Sequence, residues 1–389
     1  MSQNNPTFLH ILSFDVPYPP NYGGVMDVFY KIKTLFECDI KVILHAFHYG
    51  RKTAPELEKY CSKVYYYKRK KYINPLIGNK PYIVASRENE ELLKNLQKDE
   101  NPILFEGLHT TFYLDHPSLA KRIKIVRNHN IEHEYYNNLY KIEKSYIRRI
   151  FFKKESERLK KYEPILKHAN YVLGISQKDT DYLKLKGYRS RWISAFHPND
   201  CVDINLEERG NFIFYHGNLG VAENNHAALY LVKSVFNLCP YPAIIAGSNP
   251  SLELRKAIRN SKNITLIDNL SSNQILEHIH QAHINILVTF QATGIKLKLL
   301  NSLYKGKHII VNSPMVENTG LEDLCHIGNN PFELANLIFS LWDKGFNPEE
   351  IKNRKKILDS KFSNVASAIK IIDLIKEREN TLETNYNRL

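Results

Sequence analysis

The stretch Ile284–Asn312, INILVTFQATGIKLKLLNSLYKGKHIIVN, decides how the rest of the chain is read. Ile284–Val288 is an apolar run of strand length, and a short polar turn closes on Thr293-Gly294. A helix carrying Lys296 and Lys298 follows, and a second strand begins after Gly306. Such a turn places unpaired backbone N–H groups and the positive end of a helix dipole at the carboxyl end of a strand, where a phosphate is stabilised. Lysines usually complement the other end of the dipole, so Lys296 and Lys298 at a helix start are unfavourable unless an anion is present. A solvated helix start in an ordinary α/β domain is the alternative for this stretch taken alone.

Outward from this stretch the same alternation recurs. Apolar strands are predicted at Phe8–Phe14, Lys41–Phe47, Ile103–Glu106, Ile123–Arg127 and Tyr171–Ile175, separated by segments of helical period. After a Pro-containing link, Trp192–Asp200, the pattern restarts with Asn211–His216, Ala243–Gly247, Asn263–Ile267, Ile284–Val288 and His308–Asn312. Strands alternating with helices make a mostly parallel sheet covered on both faces. The fold class expected is therefore α/β, with two Rossmann-like domains facing across a cleft. Their bounds are 1–195 and 196–355, and 356–389 forms a basic helical segment expected to pack back on the N-terminal domain.

A chain of 389 residues suits two domains of ordinary size. Its formal charge of +13 favours anionic partners, among which nucleotides, anionic lipid headgroups and nucleic acid all qualify. No nucleic-acid recognition motif is present, so nucleic acid is not expected. The five cysteines are scattered without C-x-x-C spacing, which indicates neither a disulfide framework nor a zinc site and fits a reducing cytoplasm. The N-terminus reads as a first strand rather than a signal peptide, and no apolar run reaches spanning length. Any work at a membrane is expected to be peripheral.

Three further loops carry polar groups to strand ends. In the first, Ser13–Leu35, prolines hold the loop open, and Gly23-Gly24 lets the backbone approach a ligand just before a helix. No G-x-G-x-x-G fingerprint follows any strand, which argues against a dehydrogenase. In the second, the strand ending Arg127-Asn128-His129-Asn130 delivers a cation, an imidazole and two amides to the cleft edge, and Glu132 and His133 open a helix. Clustered polar groups there are expensive unless they meet a ligand or each other. His129 and His133 have a spacing a metal can use, but no third ligand is evident, and hydrogen bonding is the role read for His129. In the third, a strand runs into His216-Gly217-Asn218-Leu219-Gly220, with Asn224 or Asn225 available to cap the next helix. Between the second and third, Lys141–His168 reads as a basic amphipathic helix. Asp15, Glu106 and Asp115, near strand ends, are candidate general bases.

The segments PYPPNYGG, RNHNIEHEYY, LGISQKDTDYL, FYHGNL with ENN behind it, and GIKLKLLNSLYKG resemble, in order, those of GT-B glycosyltransferases, specifically those like glycosyltransferase family 4. The resemblance implies a nucleotide-diphosphate sugar held mainly by the second domain and a lipid-linked or oligosaccharide acceptor held mainly by the first. It implies transfer with no metal or cofactor, usually with retention at the anomeric carbon. Carried over residue by residue, His129 and Lys296 are expected to act in catalysis, beside the transferred sugar and on the diphosphate. Gly23 and Gly24 would approach the donor diphosphate or the acceptor, Gly217, Asn218, Gly294 and Lys298 would line the diphosphate path, and Thr293 and Asn301 would lie near the sugar and nucleoside. Arg127, Asn130 and Glu132 would face the acceptor or cleft. Relatives commonly carry glutamates where Thr293 and Asn301 stand, and an Arg and a Lys after the first strand of the second domain, where HGNLGVAENN has neither. The expected function is synthesis of a bacterial surface polysaccharide or glycolipid by a cytoplasmic enzyme, peripheral at an anionic membrane surface. The alternative is a non-catalytic GT-B-like binding or scaffold protein.

Overall fold

The computed structural model describes residues 7–70, 78–143, 145–206, 209–290 and 297–386. The chain forms two compact units, one made by the chain up to Phe196 together with the segment from Ser363, the other by His197–Phe362.

The first unit is built on strands β1 (Phe8–Ser13), β2 (Lys41–His48), β3 (Cys61–Lys68), β4 (Ile103–Glu106), β5 (Lys124–Asn128), β6 (Tyr171–Gly174) and β7 (Ser190–Trp192). They form one 7-stranded sheet in the order β3-β2-β1-β4-β5-β6-β7, parallel throughout. Central runs such as ILFE and YVLG are buried along their whole length, as strands covered on both faces must be. Leu9, Ile11, Val42 and Leu44 meet the helix Gly23–Glu37 through Val28, Ile32 and Leu35. The same cluster takes in Ala368, Ile371 and Ile375 of the helix Asn364–Tyr386, so the end of the chain helps close this face. Leu12, Phe47, Phe105 and Val126 form a second cluster with Leu92, Leu96 and Leu159. Leu12 follows Ile11, and successive strand residues point to opposite faces, so the two clusters cover the two sides of the sheet.

The second unit is built on β8 (Ile213–His216), β9 (Ala243–Ala246), β10 (Ile264–Ile267), β11 (Ile284–Leu287), β12 (His308–Val311) and β13 (His326–Ile327). Their order is β10-β9-β8-β11-β12-β13, again parallel throughout. In both sheets the chain winds outward from the first strand and then returns to wind the other way. The reversal lies between β1 and β4 in one unit and between β8 and β11 in the other. Connections leave these paired strands in opposite directions, which opens a crevice at their carboxyl ends.

All ten strands expected from the sequence are present. The additional β3, β7 and β13 lie on sheet edges. The single basic helix expected over Lys141–His168 is not formed: the helix Glu132–Ile142 ends there and a separate helix, Tyr146–Tyr162, follows. Among the described residues no helix is long and apolar enough to cross a membrane.

Candidate functional site

In the first unit the reversal point gathers a buried polar network. Asp27 and Lys31 lie one turn apart on the inner face of the helix Gly23–Glu37, and both side chains are fully buried. Lys31 Nζ donates to Asp27 Oδ2 (2.9 Å) and to Glu106 Oε1 (2.6 Å) at the end of β4. In register beside Glu106 stands Arg127 on β5. Its guanidinium donates to Asp27 Oδ1 (3.1 Å) and to the carbonyls of Ile193 (2.6 Å) and Ser194 (2.8 Å). The Phe196 amide donates to Asp27 Oδ1 (2.8 Å). Two cations and two carboxylates thus neutralise each other with their lone pairs occupied, the condition under which buried charge is tolerated.

His129 closes the network at its only partly open end. Its side chain is 10% exposed, and Nε2 lies 2.9 Å from Glu106 Oε2. Burial opposes ionisation of Glu106, but the charge of Lys31 and the hydrogen bond from His129 outweigh it and lower its pKa. For Asp27, too, burial is outweighed, chiefly by the charges of Arg127 and Lys31, which hold it well below the usual carboxylate range. An ionised Glu106 can only accept, so Nε2 of His129 carries the proton. Nδ1 makes no hydrogen bond to any described residue. Phe14, after β1, packs edge-on to His129 with ring centroids 5.4 Å apart.

Asp27, Glu106 and His129 each offer a ligand atom within 4.8 Å of the others, the spacing of a metal site. Lys31 and Arg127 already hold these carboxylates, so an added cation would meet two positive charges.

Gly23 and Gly24 open the helix, with Tyr22 before them, no side-chain cap and no acidic residue in the first turn. A Cβ on Gly24 would lie 2.7 Å from the Phe14 ring, so glycine lets the helix start pass beneath that ring. After β4, Gly107 takes φ +69°, which turns the chain so that His109 comes back toward Phe14.

Two expectations for this region are corrected. Arg127 does not reach an edge or a ligand: its side chain is wholly buried and saturated by Asp27 and backbone carbonyls. Glu132 opens its helix but is only 2% exposed, and burial raises its carboxyl to about 8 despite the charge of Arg87. Asn130 is half-buried and Asp115 exposed, while Asp15 is buried and accepts from the Val16 amide (2.9 Å) and the Tyr22 hydroxyl (3.0 Å). His133 lies 3.2 Å from Glu163 rather than beside His129's partners.

In the second unit the loop after β8 turns through Gly217, whose amide donates to the Ala246 carbonyl (3.1 Å). Asn218 is exposed, and its Oδ1 accepts from the Gly220 amide (3.1 Å). The helix Ala222–Tyr230 has Val221 at its N-cap, so neither Asn224 nor Asn225 caps it. Instead Asn224 donates back to the Asn218 carbonyl (3.1 Å), and Asn225 accepts from the Ser251 amide (3.2 Å). Lys298, in the helix Leu297–Lys305, donates to Asn224 Oδ1 (3.3 Å), and its Nζ is 5.5 Å from the Tyr215 ring centroid. The charge of Lys298 adds to burial in lowering His216 to about 3. The glycine loop and the helix of the opening stretch therefore meet at the β8–β11 reversal. Asn301 is 7% exposed, and its Oδ1 accepts from Asn199 Nδ2 (2.9 Å). Thr293, Gly294 and Lys296 lie outside the described residues.

Asp27 and Lys31 were not singled out in the sequence. The available signal was a pair of opposite charges at i, i+4 among the core-facing residues Val28, Ile32 and Leu35 of the same helix.

No protein family model matches the chain. A relative 26% identical over 329 residues, 80% of this chain and 84% of its own length, is described as an uncharacterized 44.6 kDa protein in the cps region of Klebsiella pneumoniae. Among solved structures, a glycosyltransferase from Rickettsia africae superposes with a TM-score of 0.64 at 14% identity, covering 96% of this chain and 98% of that one. HepE from Anabaena, in complex with UDP and glucose, superposes with a TM-score of 0.61 at 12% identity, over 95% of this chain and 100% of that one. Across nearly its whole length the chain has the fold of the GT-B glycosyltransferases.

Proposed function

We propose that the protein is a glycosyltransferase that moves a sugar from a nucleotide-diphosphate sugar to a hydroxyl of a lipid-linked or oligosaccharide acceptor in the synthesis of a surface polysaccharide or glycolipid. The observation that carries the reading is His129, held by Glu106, Lys31 and Asp27 at the reversal point of the first sheet. A buried neutralised network that ends in one part-exposed imidazole positions a hydrogen-bonding group for a ligand. The fold shared with glycosyltransferases supports the reading, as does UDP with glucose in the Anabaena structure. The relative from a cps region supports a role in polysaccharide synthesis.

In the proposed reaction the bond from the anomeric carbon to the diphosphate oxygen breaks, and the acceptor hydroxyl oxygen bonds that carbon on the same face. The acceptor hydroxyl proton passes to the departing diphosphate oxygen, and the nucleoside diphosphate leaves with the bonding electron pair. Lys298, with Lys296, would offset its charge beside Gly217, Asn218 and Gly294, while Gly23 and Gly24 present free helix-start amides. Thr293 is assigned to the sugar, while Asn301 is engaged by Asn199. His129 Nδ1 would accept a hydrogen bond from a hydroxyl of the transferred sugar. No metal ion is required in this scheme, consistent with the cations that already occupy the Asp27–Glu106 cluster.

Peripheral binding at the inner face of a membrane is supported by Tyr146 and Ile147, 78% and 74% exposed, beside Arg148 and Arg149. A non-catalytic role is favoured by one observation, that Asn301, standing where relatives carry a glutamate, is turned to Asn199. Incubation with a panel of nucleotide sugars, with and without chelator, decides between them. Turnover of one nucleotide sugar is expected; a thermal shift without turnover favours the non-catalytic role, and neither with any of them would sink the proposal.

A further inference from the structure

The first unit contains a cavity of about 430 Å³ that the network above does not use. Residues that follow β1, β2, β3 and β4 line it, among them Phe14, Tyr49, Arg69 and His109, and Tyr82 and Tyr136 complete the wall. Phe14 lines the cavity and also packs against His129, with ring centroids 5.4 Å apart.

Two arginines face this space, and neither has an ion-pair partner among the described residues. Arg69 is seated between aromatic rings, its guanidinium 4.8 Å from the Tyr49 centroid and 5.0 Å from that of Tyr82. Its Nε donates to Ser86 Oγ (2.8 Å), which fixes the plane and leaves both Nη groups for a bidentate oxyanion. Arg87 is buried and donates to the carbonyls of Phe14 (3.1 and 2.9 Å) and Ile83 (2.5 Å), so it contributes charge rather than free donors. Among the described residues the only carboxylate lining the cavity is Asp15, already bonded to Val16 and Tyr22. Two guanidinium groups face one lining carboxylate, and the two carboxyls buried behind the wall, Glu155 near Arg69 and Glu132 near Arg87, have their pKa values raised by burial.

The wall is held in place. Glu155, fully buried, accepts from the amides of Tyr82 and Ile83 (2.9 Å each) and anchors the helical turn Tyr82–Ala85 from the helix Tyr146–Tyr162. Aromatic faces suit the apolar faces of a pyranose, tyrosine hydroxyls suit its rim, and a seated guanidinium suits a carboxylate or phosphoryl group.

We propose that this cavity binds an acceptor sugar bearing an oxyanion, a carboxylate or a phosphoryl group, with Arg69 holding the anion and Tyr49 and Tyr82 the ring. The assignment names the acceptor class of the transferase proposed above and rests on that reading.

The test uses the full chain and measures binding by calorimetry and ligand-observed NMR. The probes are methyl glycosides, methyl uronides and sugar 1-phosphates in gluco, galacto and manno configuration, with inorganic phosphate and UDP as separate arms. At least one charged sugar is expected to bind about tenfold or more tightly than its neutral counterpart, the worth of one charge-assisted hydrogen bond. Arg69→Gln should erase that preference, while Arg69→Lys, which keeps the charge and the seat between the rings, should retain part of it. Tyr49→Ala, at a half-exposed site, should weaken neutral sugars and, by loosening the seat of Arg69, charged sugars further. Whether the uronide or the 1-phosphate binds more tightly identifies the anion. Equal binding of neutral and charged sugars, a preference that survives Arg69→Gln, or binding of inorganic phosphate alone would overturn the proposal. UDP binding or turnover without any sugar binding would overturn it and leave the transferase reading standing. Charged-sugar binding without any nucleotide binding supports the site and overturns the transferase.

Discussion

Replacing Glu106 by glutamine keeps the shape of the network and removes one charge from it. Lys31 donates to Glu106 Oε1 at 2.6 Å, and a lysine ammonium has no acceptor, so the carbonyl of the introduced amide must face Lys31. The amide nitrogen then faces His129 Nε2, where the ionised carboxylate had stood at 2.9 Å. Two donors cannot share one hydrogen bond, so the imidazole must move its proton to Nδ1, the atom proposed to accept from the sugar. Breaking a buried ion pair costs about 3–5 kcal/mol, and we take about 2–3 kcal/mol here because Lys31 keeps Asp27 at 2.9 Å and the amide carbonyl still accepts. The inverted ring should lower kcat by ~10–100-fold, equivalent to one strong hydrogen bond, with the donor KM little changed. Urea denaturation measures the first quantity and initial rates with the active nucleotide sugar the second. A folded Glu106→Gln protein with kcat within about twofold of the parent, or with its loss confined to KM, refutes the positioning role.

Glu132 gives the chain a pH dependence of definite sign. Its carboxyl is raised from 4.5 to about 8, chiefly by burial, so the folded state holds a proton that the unfolded state has lost at neutral pH. Its stabilising contribution is complete below the unfolded value and is lost as pH rises through about 8, a change of roughly 5 kcal/mol. Glu132→Gln should flatten urea midpoints over that window; an unchanged slope would contradict the assignment. Arg127→Met strips Asp27 of its guanidinium and should cost about 3–5 kcal/mol in urea unfolding, far more than expected of a surface ligand contact. Near-parental stability with a specific loss of acceptor affinity would restore Arg127 as a binding residue. Asn301→Glu brings a larger, charged group into a 7% exposed site facing Asn199, and should cost about 2 kcal/mol without improving nucleotide affinity. Tighter nucleotide binding by calorimetry would instead place that side chain on the nucleoside.

The opening stretch and its repeats were legible because parallel strands are buried on both faces and so appear as short, nearly continuous apolar runs. Ile103–Glu106, Ile213–His216 and Ile284–Leu287 are of that kind, and the alternation with helices set the fold class. The edge strands were not legible for the same reason. Cys61–Lys68 carries tyrosines and lysines along a partly exposed edge, while Ser190–Trp192 and His326–Ile327 are too short to show a period. The candidate loops were also recognisable, since a helix start after a strand needs glycine and small polar residues. Which polar side chain faces a ligand and which is spent inside the protein was a tertiary matter. Arg127 and His129 are two residues apart on one strand end, yet the first is consumed by Asp27, 100 positions earlier, and the second reaches the open side only because Glu106 holds its other nitrogen. Burial and charge partners depend on what the fold brings together from distant positions, and local spacing carries no record of it. The seat of Arg69 between Tyr49 and Tyr82 was decided in the same way, by three loops that meet only once the sheet has formed.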